Sequence, residues 1–365
     1  MRKLRWLAEW RKAAGKPVLY HVISRVVDRR FVLGTEEKER FRTLMRMQEN
    51  FTGCRAISYC LMDNHFHLLL EVPPMAEGGL SDDELLKRLS SLYSEAFIAG
   101  VAKELMDART AVYASEEGMS EAVDAIHKRF SYRMHDLAEF MKGLLQRFSQ
   151  WFNRAHSRSG TLWEDRFKSL IVEDGVAART ISAYIDLNPV RAGMVADPAD
   201  YRWSSYGEAV GGGSKGNGKK AREGLVRAYF CDQGAGFEAG RWVEVSRMYR
   251  RLMGLSLEKK PGSAKVSPSR KGLGQASKNT AELLESKDNE TVLKDLGMAK
   301  MLRCRVRYFT DGAVIGSKDF VNEAFASARD RFGPKRKDGA RKLKGDATPA
   351  NGVLWSLRDL RKGIA

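Results

Sequence analysis

An α+β fold is predicted, with a ferredoxin-like antiparallel sheet that carries helices on one face. Three observations lead there. Short β-branched apolar runs alternate with longer segments of helical period. Their order, β-α-β-β-α-β-α, is the split βαβ arrangement with a trailing helix. Two of the apolar runs flank an Asp63-Asn64 dipeptide, which marks a hairpin at the centre of the pattern.

VLYHVISRVV (18–27) is rich in β-branched residues and reads as the first strand. TEEKERFRTLMRMQENF (35–51) puts Phe41, Leu44, Met45 and Phe51 on one helical face, with Thr35 as N-cap and Glu36 and Glu37 in the first turn. CRAISYCLM (54–62) and HFHLLLEV (65–72) form the hairpin strands. DLAEFMKGLLQRFSQWFNRAH (136–156) is helical and RFKSLIVED (166–174) is strand-like. GVAARTISAYIDLN (175–188) is a helix closed by Pro189. Between strand and helix, an insertion at about 75–135 also reads as helical, because Ser81-Asp82-Asp83-Glu84 has the capping-box pattern ahead of Leu85, Leu86, Leu89, Leu92 and Tyr93.

These elements fill a first domain of about 1–210. GGGSKGNGKK (211–220) opens a linker over 211–280 that includes a helical segment at 221–255 and a Pro/Gly/Ser/Lys-rich stretch, 257–279, expected to be disordered. Residues 281–365 form a small C-terminal α/β module. In it a short β-like segment, an Asp311-Gly312 turn and a helix using Phe320, Val321, Ala324 and Phe325 precede the run PKRKDGARKLK (334–344). That run holds six basic residues and one acid, and reads either as an electrostatic nucleic-acid contact or as a solubilising tail.

Composition narrows the function classes. With 63 Lys+Arg against 46 Asp+Glu the chain carries +17, a field that suits polyanionic partners. Four cysteines, none in a C-x-x-C pair, exclude a disulfide scaffold and disfavour a cysteine zinc site. No apolar run approaches the ~18 residues of a membrane span, and the basic N-terminus has no secretory apolar core. A cytoplasmic, nucleoid-associated protein without a membrane partner is expected.

The sharpest local feature is His65-Phe66-His67. On a strand both imidazoles face one side while Phe66 faces the other, which makes either a two-ligand metal platform or a pair of partly exposed histidines. Tyr184 and Asn188, at i and i+4, share a helix face, and Asn188 is pushed out of the α region by Pro189. A tyrosine one turn from a metal-binding amide suggests a nucleophile beside a Lewis acid; the plainer reading is a core tyrosine and a capping asparagine.

NHFHLLLEV (64–72), SGTLWEDRFKS (159–169), YIDLNPVRAG (184–193) and YRWSSY (201–206), in that order, resemble the REP-associated tyrosine transposases, single-tyrosine HUH transposases of bacterial insertion sequences. The resemblance runs from about Val18 to Tyr206. It implies an HUH endonuclease core that nicks and rejoins single-stranded hairpin or palindromic-repeat DNA through a 5′-phosphotyrosine. It also implies Tyr184 as catalytic residue, His65, His67 and Asn188 as metal ligands, and Mg²⁺ or Mn²⁺ as cofactor. One departure is Asp186, where many relatives have histidine. The alternative is a domesticated DNA-binding protein of the same descent that no longer transposes. A weaker one is a replication initiator or relaxase with the same core. A homodimer is left open.

For the DNA itself, basic groups neutralise phosphates and aromatic faces stack unpaired bases. Arg25, Arg154, Arg158, Trp163, Arg166, Lys168 and Arg191 are the candidate contacts, with Arg158, Arg166 and Arg191 preferred for phosphate. Phe148 and Phe152, at i and i+4, read as core rather than platform.

Overall fold

The computed structural model describes residues 6–111, 116–212, 218–230, 239–255, 302, 307–342 and 354–357. Segment 257–279, together with Cys231 and Cys304, lies outside the described residues. Helix α1 (Glu9–Ala13) precedes strand β1 (Val18–Arg25), followed by α2 (Thr35–Thr52) and the hairpin of β2 (Arg55–Leu61) and β3 (His65–Val72). Helices α3 (Asp82–Leu89), α4 (Glu95–Thr110) and α5 (Glu116–Ser131) occupy the insertion. Then come α6 (Leu137–Ala155), β4 (Lys168–Val172), α7 (Val176–Asp186) and the short α8 (Asn188–Arg191). The chain continues with α9 (Ser205–Gly211), α10 (Lys219–Phe230), α11 (Trp242–Leu252), α12 (Arg307–Asp311), β5 (Val314–Gly316), α13 (Lys318–Ser327), β6 (Arg341–Lys342) and β7 (Trp355–Leu357). Among the described residues no helix is long and apolar enough to cross a membrane.

Strand β1 lies between β3 and β4 and is antiparallel to both, and β2 pairs with β3 outside them. This is the split βαβ core that the sequence pattern predicts, with the hairpin closed by Met62 N–H donating to the His65 carbonyl at 2.8 Å. The C-terminal strands do not stand apart from it. β5 pairs parallel with β4, and the sheet runs on as β2-β3-β1-β4-β5-β7-β6. Part of the basic run is drawn into this edge: Arg341–Lys342 form β6, paired with β7, and the Arg336 guanidinium sits 4.8 Å from the centre of the Phe332 ring.

The expectation of helices on one face needs correction. Helices α2 and α6 do share a face, where Phe41, Leu44, Phe140, Leu144 and Phe148 pack with Tyr20, Val22, Phe66, Leu68 and Leu70 of the strands. The opposite face is covered too, by Ile181 and Ile185 of α7, Leu225 of α10 and Tyr249 of α11 against Leu19, Leu69, Leu170 and Val172. The physical reason lies in the strands. A one-sided sheet shows strict alternation, whereas Leu68-Leu69-Leu70 is a continuous apolar run, the mark of burial on both faces. Helix α10 comes close enough to β2 that a Cβ at Gly224 would run into the Ile57 carbonyl oxygen. The insertion makes a small core of its own, with Leu85, Leu89, Val101, Leu105 and Phe130 gathered at Phe51 of α2.

One ion pair ties this second layer to the sheet. Arg227 of α10 donates from Nη2 at 2.9 Å and from Nε at 3.2 Å to the carboxylate of Glu71 on β3, which is 3% exposed. Removing the guanidinium leaves a carboxylate without its counter-charge in the interior. Arg227→Ala is therefore expected to cost about 3 kcal/mol or more in urea unfolding, and the double variant Arg227→Met/Glu71→Leu to recover most of it. A single variant within about 0.5 kcal/mol of the parent would mean the pair contributes little.

Candidate active site

The register of β1 against β3 places Ile23 opposite His67 and Arg25 opposite His65. Side-chain alternation then puts His65 and His67 on the α7 side of the sheet and sends Phe66, fully buried, to the other side against Phe41, ring centres 4.7 Å apart. A third histidine, His21 of β1, falls on the imidazole face two residues before Ile23. Its Nε2 lies 2.9 Å from His67 Nδ1, and its own Nδ1 lies 2.8 Å from the Phe309 carbonyl oxygen of α12.

Helix α7 brings the remaining predicted groups. The Tyr184 ring stands edge-on to His67 at 6.2 Å and to His21 at 6.3 Å, with Phe309 packed against it at 5.0 Å. The Arg191 guanidinium lies 3.9 Å from the Tyr184 ring centre; its Nη2 donates to the Tyr184 carbonyl at 2.7 Å and its Nη1 to the Leu302 carbonyl at 2.8 Å. Pro189 does not end the helix outright. Leu187 keeps helical dihedrals, and Pro189 sits in the first turn of α8, where its missing N–H costs nothing. Asn188 is consequently helical rather than extended. Its amide nitrogen turns back on the Tyr184 and Ile185 carbonyls, at 3.3 and 3.1 Å, instead of reaching outward.

His65, His67, Tyr184 and Asn188 all line one cavity of about 710 Å³, together with Arg25, Arg29, Arg166, Lys168 and Arg191. Its two acidic lining residues, Glu164 and Asp165, are outnumbered by these five cations. Arg154, Arg158 and Trp163 are not brought to it. Trp163 closes an aromatic cluster with Phe41, Phe66 and Phe148 on the opposite face of the sheet, its Nε1 donating to the Leu145 carbonyl at 3.4 Å. Arg158 donates to the Thr161 carbonyl within its own loop, and Arg154 is exposed at the end of α6. Phe31, two residues beyond the lining residue Arg29, is an exposed aromatic, at 79%.

Burial dominates the electrostatics. It holds the imidazole of His67 well below the usual histidine range, helped by His21 and His65, and lowers His21 to about 4 despite the Phe309 carbonyl. Both rings are thus neutral at ordinary pH, the form a metal needs. Burial also pushes Asp186 up to about 7, although Tyr249 Oη and the Tyr206 N–H donate to it at 2.6 and 2.9 Å. Asp186 does not line the cavity and joins α7 to α9 and α11.

Among the described residues no cluster of three or more His, Cys, Asp or Glu side chains could hold a metal ion. His21 spends both ring nitrogens on hydrogen bonds and is not a third ligand. The donor set that fits a divalent cation is two imidazoles plus the Asn188 amide oxygen, which its helix contacts leave unused.

Residues 16–79, from before β1 to beyond β3, match the family model for IS200-like transposases. The matched stretch contains His21, His65 and His67, and ends well before Tyr184. The chain is also similar to a solved REP-associated tyrosine transposase bound to a REP hairpin, at 13% identity and a TM-score of 0.34, covering 58% of this chain and 84% of that one. No curated protein matches it.

Sequence reasoning missed His21, Phe309 and Arg191's hold on Tyr184. His21 carried a signal, as a histidine set among the apolar residues Val18–Ile23. The contacts of Phe309 and Leu302 carried none, since backbone carbonyls are invisible in a side-chain pattern.

Proposed function

We propose that this cavity nicks and rejoins single-stranded DNA, with Tyr184 as nucleophile and hairpin or palindromic-repeat DNA as substrate. The observation that supports it best is the convergence of Tyr184, Asn188, His65 and His67 on one cation-rimmed cavity. The Tyr184 oxygen attacks phosphorus and forms a 5′-phosphotyrosine, the phosphorus–O3′ bond breaks, and the departing oxygen takes up a proton as the phenol loses one. The ester stores the bond, so a second strand end can be joined without ATP. His65, His67 and Asn188 would hold Mg²⁺ or Mn²⁺, which when bound polarises the scissile phosphate. Imidazole donors favour Mn²⁺ of the two.

Arg25, Arg29, Arg166 and Lys168 line the path of the phosphates, while Arg191 is committed to the backbone around Tyr184. Phe31 replaces Trp163 as the base-stacking candidate. If the four cations each meet a phosphate, log Kd for a single strand should rise with log salt with a slope of about 3. Fluorescence anisotropy across a salt series checks this, and a flat response would remove the basic rim from the account.

One observation favours the second reading, a repeat-binding protein that no longer cuts. Tyr184 is only 2% exposed, with Phe309 of α12 packed against its ring, so little of the side chain faces the cavity. Incubation with a hairpin oligonucleotide and Mn²⁺, followed by denaturing electrophoresis, separates the two: nicking leaves a covalent adduct, and binding alone leaves none.

A further inference from the structure

The hydrogen-bond chain behind His67 determines which of its nitrogens carries a proton. A carbonyl oxygen can only accept, so His21 donates its Nδ1–H to Phe309 at 2.8 Å. A neutral His21 then has only a lone pair at Nε2, so across the 2.9 Å contact the proton must come from His67 Nδ1. The opposite polarity would need a doubly protonated His21 ring, a cation 1% exposed in the sheet with no acidic partner among its hydrogen bonds. His67 is therefore the Nδ1–H tautomer, with its lone pair on Nε2. Isolated neutral histidine favours the other form, whose proton would cap Nε2.

His65 reaches the same state by a different route. Asn64 donates its amide nitrogen to the Arg29 carbonyl at 3.0 Å, which orients the amide oxygen toward His65 Nδ1 at 2.6 Å. The oxygen accepts, so His65 carries a proton on Nδ1, as His67 does. Two neighbouring imidazoles thus each have Nδ1 held by its own backbone-anchored partner.

We infer that His21, anchored on the Phe309 carbonyl, is a positioning residue that sets the tautomer and ring orientation of His67 so that its Nε2 can bind a divalent cation. This rests on the metal-site reading above and deepens it. It also gives the C-terminal segment a part in the site, because the far end of the chain of bonds is a main-chain oxygen of α12. Outer hydrogen bonds of this type are generally worth 10–100-fold in metal affinity.

The test uses the full-length chain, stripped of metal and labelled with ¹⁵N-histidine. Long-range ¹H–¹⁵N correlation should show His67 as Nδ1–H, and finding it as Nε2–H would overturn the inference. In His21→Phe the Nε2–H form should appear at His67, and Mn²⁺ affinity by titration calorimetry should fall about 10–100-fold. In His21→Gln the amide can donate to Phe309 and accept from His67 together, so it should restore most of both. Unchanged Mn²⁺ affinity in a folded His21→Phe protein would overturn the positioning role. So would a folded His21→Gln protein as impaired as His21→Phe, since only packing would then matter. The tautomer is read without metal, so a parent protein that takes up no Mn²⁺ sinks the cation reading while the tautomer result still decides the hydrogen-bond assignment.

Discussion

Replacing Tyr184 by phenylalanine is expected to abolish the covalent protein–DNA adduct while leaving DNA affinity within about twofold. The substitution removes one oxygen and keeps the ring. Phe309 at 5.0 Å, His67 at 6.2 Å and the Arg191 guanidinium at 3.9 Å all contact that ring, and the Arg191 bond to residue 184 goes to its main-chain oxygen. Packing and the cationic rim therefore survive, and the hydroxyl proposed as nucleophile goes. A loss of at least ~10³-fold in adduct formation corresponds to about 4 kcal/mol of lost transition-state stabilisation. The measurement is denaturing electrophoresis of a labelled hairpin oligonucleotide with Mn²⁺ or Mg²⁺, alongside anisotropy for binding. Persistence of the adduct would transfer the nucleophile to another lining hydroxyl, Ser24 or Thr310.

How much of this was legible beforehand follows from what each residue contributes. The hairpin and the shared face of His65 and His67 depend on the two-residue period of a strand, which a sequence displays directly. The pairing of Tyr184 with Asn188 depends on the four-residue period of a helix, equally visible, although the proline rule misjudged the conformation of Asn188 because α8 accommodates Pro189 in its first turn. Burial of the sheet on its second face was present in Leu68-Leu69-Leu70 and outweighed by the topology rule. Trp163 was misplaced for another reason. A tryptophan beside arginines looks the same in sequence whether it stacks on a base or on Phe41 and Phe148, and only the twist of the loop after α6 decides. The joining of β5 to β4 was not legible at all, since nothing local in Val314–Gly316 says which edge it will find.

His67→Ala and His65→Ala are expected to share one effect and differ in another, and the contrast separates chemistry from packing. Each removes an imidazole from the donor set, so each should lower metal-dependent cleavage by about 10²–10⁴-fold, the scale of several kcal/mol of charge stabilisation lost at the phosphate. Their stabilities should diverge. His67 is 4% exposed and donates to His21, so its removal opens a cavity and strands a buried acceptor, together costing about 2–4 kcal/mol. His65 lies at the half-buried mouth of the strand with Asn64 as hydrogen-bond partner, where truncation should cost about 1 kcal/mol or less. Urea unfolding of the metal-free proteins measures the second effect, and single-turnover cleavage with a Mn²⁺ series measures the first. Equal losses of cleavage with unequal losses of stability would assign both histidines to the cation. Loss of cleavage in proportion to loss of stability would reduce the pair to scaffolding around Tyr184, and parental rates in both variants would remove metal from the mechanism.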